Sequence, residues 1–286
     1  MTMQERKRLF DLKKIQFSTN RKQLNLKDYK YNYKNFIKKD SKFRKLKLHN
    51  KKFIDLETSS IEYSTFKYLI IRLDGVKFTE RFFRKDFIPE KIIHIINLSI
   101  RDTYKKFNLK NNKNNKDFFL SIVYINDEIS FIIRTGKNKY DNRVVKILSL
   151  LNGLMSTLSS NYYNINYDNK PTELYYDAKP FILKSTYEIF EYIEYRYLMG
   201  RKHIIGKTLK FNDILLESKN WKNLYFLEEK LKENKLEKEL VSIENTFKIF
   251  IPNKNYDLNE YSLTEDLIDK DLIDLLNESN SQKKYS

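Results

Sequence analysis

Tyr68-Leu-Ile-Ile-Arg-Leu-Asp-Gly75 is a short apolar run closed by an Asp-Gly pair. A run of that length, with isoleucines at its centre and a turn dipeptide at its end, reads as a buried strand entering a turn. Downstream, Pro89 to Phe107 carries Ile92, Ile93, Ile96, Ile100 and Tyr104 at helical spacing, with proline near the start. The Asn/Lys-rich stretch Asn108 to Lys116 reads as a solvated loop. Phe118 to Tyr124 and Ile129 to Arg134 are two strand-like runs flanking Asn126-Asp127-Glu128, the pattern of a hairpin. Val144 to Tyr163 returns to helical spacing through Ile147, Leu151, Leu154, Met155 and Leu158. Strand, helix, hairpin, helix predicts an α+β fold, a ferredoxin-like antiparallel sheet with helices on one face, as in a polymerase-type palm.

The 286 residues suffice for one large domain or two modest ones. Three segments are expected: a basic N-terminal extension over 1–52, a palm-like catalytic domain over 53–210, and a helical C-terminal region with an acidic tail over 211–286. Lys and Arg number 55 against 38 Asp and Glu, a net charge of +17 that points to a polyanion, nucleic acid ahead of an anionic membrane. Cysteine is absent, which excludes disulfide scaffolds, thiolate nucleophiles and Cys-type zinc sites. With three scattered histidines (His49, His94 and His203), metal chemistry would rest on carboxylates, the ligands of Mg²⁺ or Mn²⁺. No apolar run approaches the ~20 residues that span a bilayer, and the charged stretch Met1 to Leu12 lacks a signal-peptide core. A cytoplasmic location is expected; a mitochondrial one is the alternative, although Glu5, Asp11 and the lysine bias fit a presequence poorly.

From Met1 to Lys52 there are 18 Lys/Arg and 4 acidic residues, interleaved with Tyr29, Tyr31, Tyr33, Phe36 and Phe43. Cations with stacking side chains make Lys38, Lys39 and Arg44 candidate RNA contacts; a solvated basic tail accounts for the composition equally well. Further on, Tyr187 to Met199 is a predicted helix opened by Ser185/Thr186 and Glu188. Trp221 to Leu240 is a charged helix, and Asp257 to Glu278 an acidic tail with Leu/Ile pairs that could neutralise the basic arm.

Asp74 ends a predicted buried strand, and Asp127 with Glu128 sits at a predicted hairpin tip. If those strands are neighbours the carboxylates meet at one edge of the sheet. With the Gly75 carbonyl they could bind two divalent ions, activate an attacking oxygen and neutralise leaving pyrophosphate. Ordinary turn chemistry explains the same residues.

Ile71-Arg-Leu-Asp-Gly-Val-Lys-Phe78 resembles the R-[IL]-D-G-x-x-F signature of the tRNA-His guanylyltransferase family, the reverse (3′–5′) nucleotide polymerases. Asn126-Asp-Glu-Ile-Ser-Phe131 is similar to the family's S-D-E-x-S-F, with Asn126 in place of Ser, and Arg143-Val-Val-Lys146 to its R-x-x-K. Ser159-Ser-Asn-Tyr162 is similar to its [TS]-[SA]-x-Y segment, Tyr176-Asp-Ala-Lys179 to F-D-G-R, and Tyr192 to Arg196 to D-Y-L-x-W-R. The order holds from about Asp55 to Arg196.

The resemblance implies a metal-dependent nucleotidyltransferase using GTP or ATP and two Mg²⁺ ions, acting on the 5′ end of tRNA or a related RNA in repair, editing or guanylylation. It implies Asp74, Gly75 and Asp127 as metal ligands, with Glu128 beside them in the catalytic set. It also implies a nucleotide site: the turn Gly75, Val76, Lys77 and Phe78 with its backbone N–H groups, Arg72, Asn126, and Arg143 and Lys146 facing triphosphate, joined by Ser149. Arg196, Arg201 and Lys202 become candidate RNA contacts, and a homo-oligomer, a tetramer in the family, is expected. The chain departs from the pattern at Thr79 and Glu80, where the family has His after the Phe. It departs again over Tyr195-Arg-Tyr-Leu-Met-Gly-Arg-Lys-His203, which lacks the family's Asp, His and paired Asn; strict tRNA-His specificity is not expected. The alternatives are a palm-type nucleotide cyclase or oligonucleotide synthase, and a non-catalytic RNA-binding protein on a decayed palm.

Overall fold

The computed structural model describes residues 52–53, 68–78, 90–109, 118–134, 143–167, 172–214, 224–237, 247–253, 255 and 257–281. Lys38, Lys39 and Arg44 lie outside the described residues. Lys45–Ser286 forms one compact unit.

The elements are β1 (Tyr68–Gly75), α1 (Glu90–Leu109), β2 (Phe119–Ile125), β3 (Glu128–Arg134), α2 (Val144–Tyr167), β4 (Tyr176–Leu183), α3 (Thr186–Phe211), α4 (Leu224–Glu233), β5 (Lys248–Pro252), β6 (Leu258–Ser262), α5 (Glu265–Lys270) and α6 (Leu272–Ser281). The strands form one sheet in the order β4-β1-β3-β2-β5-β6, with every pairing antiparallel. Its first four strands and α1 and α2 make the expected β-α-β-β-α-β palm.

The central strands are continuous apolar runs rather than alternating ones because the sheet is covered on both faces. Leu69, Ile71 and Leu73 join Phe131 and Ile133 in a core with Ile96 and Ile100 of α1 and Ile147, Leu151 and Met155 of α2. The other face, carrying Ile70, Arg72 and Ser130, belongs to α3: Tyr192 hydrogen-bonds Ser130 at 2.7 Å and packs edge-on against Phe181, the partner of Ile70 in β4. The palm thus has α1 and α2 on one face, as expected, and α3 covers the other. α3 is buried around most of its circumference, from Ile189 to Leu209, so its sequence shows no clean amphipathic stripe. It starts as the sequence predicts: the Ser185 hydroxyl accepts from the Glu188 N–H at 3.1 Å, and the Glu188 carboxylate accepts from the Lys184 N–H at 2.6 Å.

The C-terminal region is helical only in part. β5 and β6 extend the palm sheet from β2, and Leu263, Ile268, Leu272 and Leu276 of the acidic stretch are buried. The charges of that stretch thus ride on amphipathic elements packed against the body. Among the described residues no helix is long and apolar enough to cross a membrane.

Candidate active site

Antiparallel pairing sets Asp74 opposite Glu128 of β3 on one side and Asp177 of β4 on the other. Directly paired residues project to the same face, so three carboxylates form a row across β4, β1 and β3, on the α3 side. Like charges in such a row repel, and neighbouring cations offset this. Lys179 lies 3.6 Å from Asp177, and Arg196 of α3 is ion-paired with Glu128.

Asp127 occupies the β2–β3 turn, closed by the Ile125–Glu128 pair. Asn126 takes the left-handed conformation there (φ 58°), which asparagine tolerates better than most residues. The turn is tied to the end of β1: the Gly75 N–H donates to the Asp127 carbonyl at 3.0 Å. Burial, then the charge of Asp127, pushes the Asp74 carboxyl above the ordinary carboxylate range, against the pull of Arg72 and Arg196. The two aspartates predicted from separate motifs are thus brought within each other's field at one end of the sheet.

Several predicted site residues are placed differently from expectation. The Val76 N–H donates to the Tyr175 carbonyl at 3.0 Å and the Gly75 N–H to Asp127, so neither donor is open to a triphosphate. Phe78 is fully buried, 5.2 Å between ring centres from Tyr176, and belongs to the core. A Cβ on Gly75 would fall 2.4 Å from the Phe78 ring, which explains the glycine. Lys77 is exposed at φ 59°. Arg72 is 6% exposed; it acts on Asp74 through its charge rather than as a surface contact for nucleotide.

Arg143, Lys146 and Ser149 are exposed at the start of α2, and the Ser149 hydroxyl donates to the Lys146 carbonyl at 3.1 Å. α2 starts after β3 has run away from the Asp74–Asp127 end. Its other half returns to that end, where Ser159 bonds the Tyr176 hydroxyl at 2.9 Å and the Ser160 hydroxyl donates to the Leu174 carbonyl at 3.1 Å. At 1.5 Å per residue Lys146 lies about 20 Å along the axis from Ser159. The chain's own Arg143 and Lys146 are therefore not gathered at its aspartate pair, because their register in sequence does not fix which end of the sheet a helix start occupies.

Two expected RNA contacts are internal. Arg196 is 7% exposed, pairs with Glu128 and lies over the Tyr195 ring at 5.5 Å. Glu128, ion-paired with Arg196, also lines the cleft beside Asp127. Arg201 bridges α3 to α4 and α5, with Glu228 at 3.1 Å and Glu265 at 3.4 Å. Lys202 does face a cleft of about 230 Å³ between the Asn126–Glu128 turn and α3, lined also by Met199, Gly200 and His203. His203 is exposed on this face; partial desolvation, then the charges of Lys207 and Lys202, lower its pKa. Lys207, one turn further, lies within the field of Asp127. Sequence reading missed it; its one signal is the i, i+4 step from His203 on a face that also carries Arg196 and Gly200.

The donor chemistry suits a hard divalent cation: two aspartate carboxylates repel one another at one edge, and a cation relieves that repulsion. Among the described residues no group of three or more His, Asp or Glu side chains converges on a point where an ion could sit. The candidate side-chain donors are Asp74 and Asp127, with Glu128 ion-paired to Arg196 and Asp177 to Lys179 beside them.

No family model matches the chain, and no curated protein matches it in sequence. Solved structures do share its fold. A bacterial tRNA(His) guanylyltransferase-like protein in complex with ATP is 17% identical with a TM-score of 0.58, covering 80% of this chain and 96% of its own. A bacterial protein of the same description in complex with GTP is 15% identical with a TM-score of 0.53, covering 80% and 97%. The tRNA(His) guanylyltransferase of Saccharomyces cerevisiae is 16% identical with a TM-score of 0.50, covering 75% and 97%. The chain has the palm-type fold of these proteins over the matched part of its length.

Proposed function

We propose that the chain is a divergent member of the tRNA-His guanylyltransferase family, a nucleotidyltransferase that adds nucleotides to the 5′ end of tRNA or a related RNA in the 3′–5′ direction. The observation that carries this reading is the meeting of Asp74 and Asp127, from β1 and the β2–β3 turn, at one edge of a palm sheet. Asp74, Asp127 and the Gly75 carbonyl would hold Mg²⁺ or Mn²⁺. Bound there, divalent cations lower the pKa of an attacking hydroxyl and neutralise charge on the leaving pyrophosphate.

The chain's own groups supply the rest. Arg196 is ion-paired with Glu128, which offsets one negative charge beside Asp127. Lys202 and Lys207 put positive charge on the α3 wall, where phosphate oxygens of a nucleotide or RNA end would lie. The ATP and GTP complexes of proteins with this fold support nucleoside triphosphates as substrates, and the +17 charge supports an RNA partner. Arg143 and Lys146, remote from the aspartates of their own chain, fit a homo-oligomer in which a second copy presents them.

Incorporation of labelled NTP into 5′-truncated tRNA with Mg²⁺, with Asp127→Ala as control, tests the reading. Label at the 5′ end that the variant loses is the expected result. Pyrophosphate release without labelled RNA would replace it with a cyclase or oligonucleotide synthase, and the absence of both with a binding protein.

A further inference from the structure

We propose that Gly200 is a positioning residue for Asp127, a site on α3 that must lack a side chain so that the β2–β3 turn can seat against the helix. This rests on the reading of Asp127 given above. Glycine weakens a helix interior relative to alanine, yet Gly200 lies inside α3, with helix on both sides. Its surroundings supply the reason. A Cβ at Gly200 would fall 2.3 Å from Ile125 Cγ2, 3.2 Å from Phe247 Cζ and 3.4 Å from Asn126 Nδ2. Ile125 is the last residue of β2 and Asn126 the first of the turn, so the helix backbone touches the two residues that lead into Asp127.

The seat has little room to give. Ile125 and Phe247 are buried, the Ile125–Glu128 pair closes the hairpin, and Arg196, one turn before Gly200 on the same side of α3, holds Glu128. A methyl group at position 200 therefore acts on the turn itself. The turn moves away from α3, and the Gly75 N–H to Asp127 carbonyl bond, which joins it to β1, lengthens. A displacement of about an ångström at a reacting centre lowers rate by up to ~100-fold.

The test compares Gly200→Ala, Ile125→Ala and the double variant. It reads two quantities: hydrogen exchange at the Gly75 amide, and labelled NTP incorporation resolved into kcat and KM. Gly200→Ala is expected to speed exchange at Gly75 by about 10-fold or more and to lower kcat with little change in KM for NTP. The double variant, which removes the colliding Cγ2, is expected to recover both. Unchanged Gly75 exchange in a folded Gly200→Ala protein overturns the proposal, as does faster exchange that the double variant fails to reverse. Failure of both Gly200 variants to fold also overturns it, by making Gly200 a folding determinant. If the unmodified protein incorporates no NTP, the catalytic reading fails, while Gly75 exchange still decides whether Gly200 seats the turn.

Discussion

The Gly75 amide donates to the carbonyl of Asp127 at 3.0 Å, joining the end of β1 to the β2–β3 turn by one backbone bond. Each of those segments carries one aspartate of the candidate metal pair. Because the link is backbone to backbone, the separation of the two carboxylates follows from sheet geometry and leaves the side chains unengaged by it.

Replacing Asp74 or Asp127 with Asn should lower NTP incorporation by ~100-fold or more, since divalent-ion charge stabilisation is worth several kcal/mol. RNA affinity, measured by filter binding, should hold within a few-fold. Burial and Asp127 both disfavour the charged form of Asp74, so Asp74→Asn should also raise the Tm at pH 7 in a thermal melt without added metal.

The same shift dictates a pH profile. A carboxyl whose folded pKa is raised takes up its proton first in the native state, so its stability contribution grows as pH falls through that folded pKa. Activity moves the other way, because the ion needs the carboxylate. With Mg²⁺ held below saturation, incorporation should fall on the acid side at a pH above the usual carboxylate range, while the Tm of the metal-free protein gains over the same interval relative to Asp74→Asn. An acid limb at the ordinary aspartate value would show that burial and Asp127 do not raise the Asp74 carboxyl.

Arg196→Met should destabilise the protein by ~3 kcal/mol, the scale for breaking a largely buried ion pair and stranding its partner. For a domain of this size that is a Tm loss of about 6–12 °C. Arg196 also pulls the Asp74 carboxyl down, so the variant's acid limb should move to higher pH. A folded variant with an unmoved limb would reduce Arg196 to a purely structural brace.

Deleting Met1 to Lys45 should weaken RNA binding and flatten its salt dependence, each lost phosphate contact taking ~0.7–0.9 from the log–log slope. Titrations at several salt concentrations measure this. An unchanged slope would return the 15 basic residues of positions 1–45 to a solvated tail.

Much of the palm was legible because its signals are local. The apolar run ending in Asp74-Gly75 became β1, Asn126 and Asp127 became a turn, and Ser185 with Glu188 became the helix cap. The C-terminal hairpin was not legible, since β6 is five residues long and largely polar and exists as a strand only by pairing with β5. Arg196 and Arg201 read as surface cations because charge ordinarily lies outside; their carboxylate partners come from other elements.

The sequence by itself determined that the palm segments from Tyr68 to Tyr163 alternate strand, helix, hairpin and helix, and that aspartates stand at the end of the first strand and in the hairpin turn. It also determined the charge surplus and the reliance on carboxylates. The tertiary structure alone decided that β3 lies beside β1, so that Asp74 and Asp127 meet, and that α2 starts at the far end, so that Arg143 and Lys146 do not join them. It alone set α3 on the second face, bringing Arg196 to Glu128 and Gly200 to Ile125. Propensity and turn chemistry act over a few neighbouring residues, whereas these relationships join residues far apart in the chain through strand register and the packing of a buried helix.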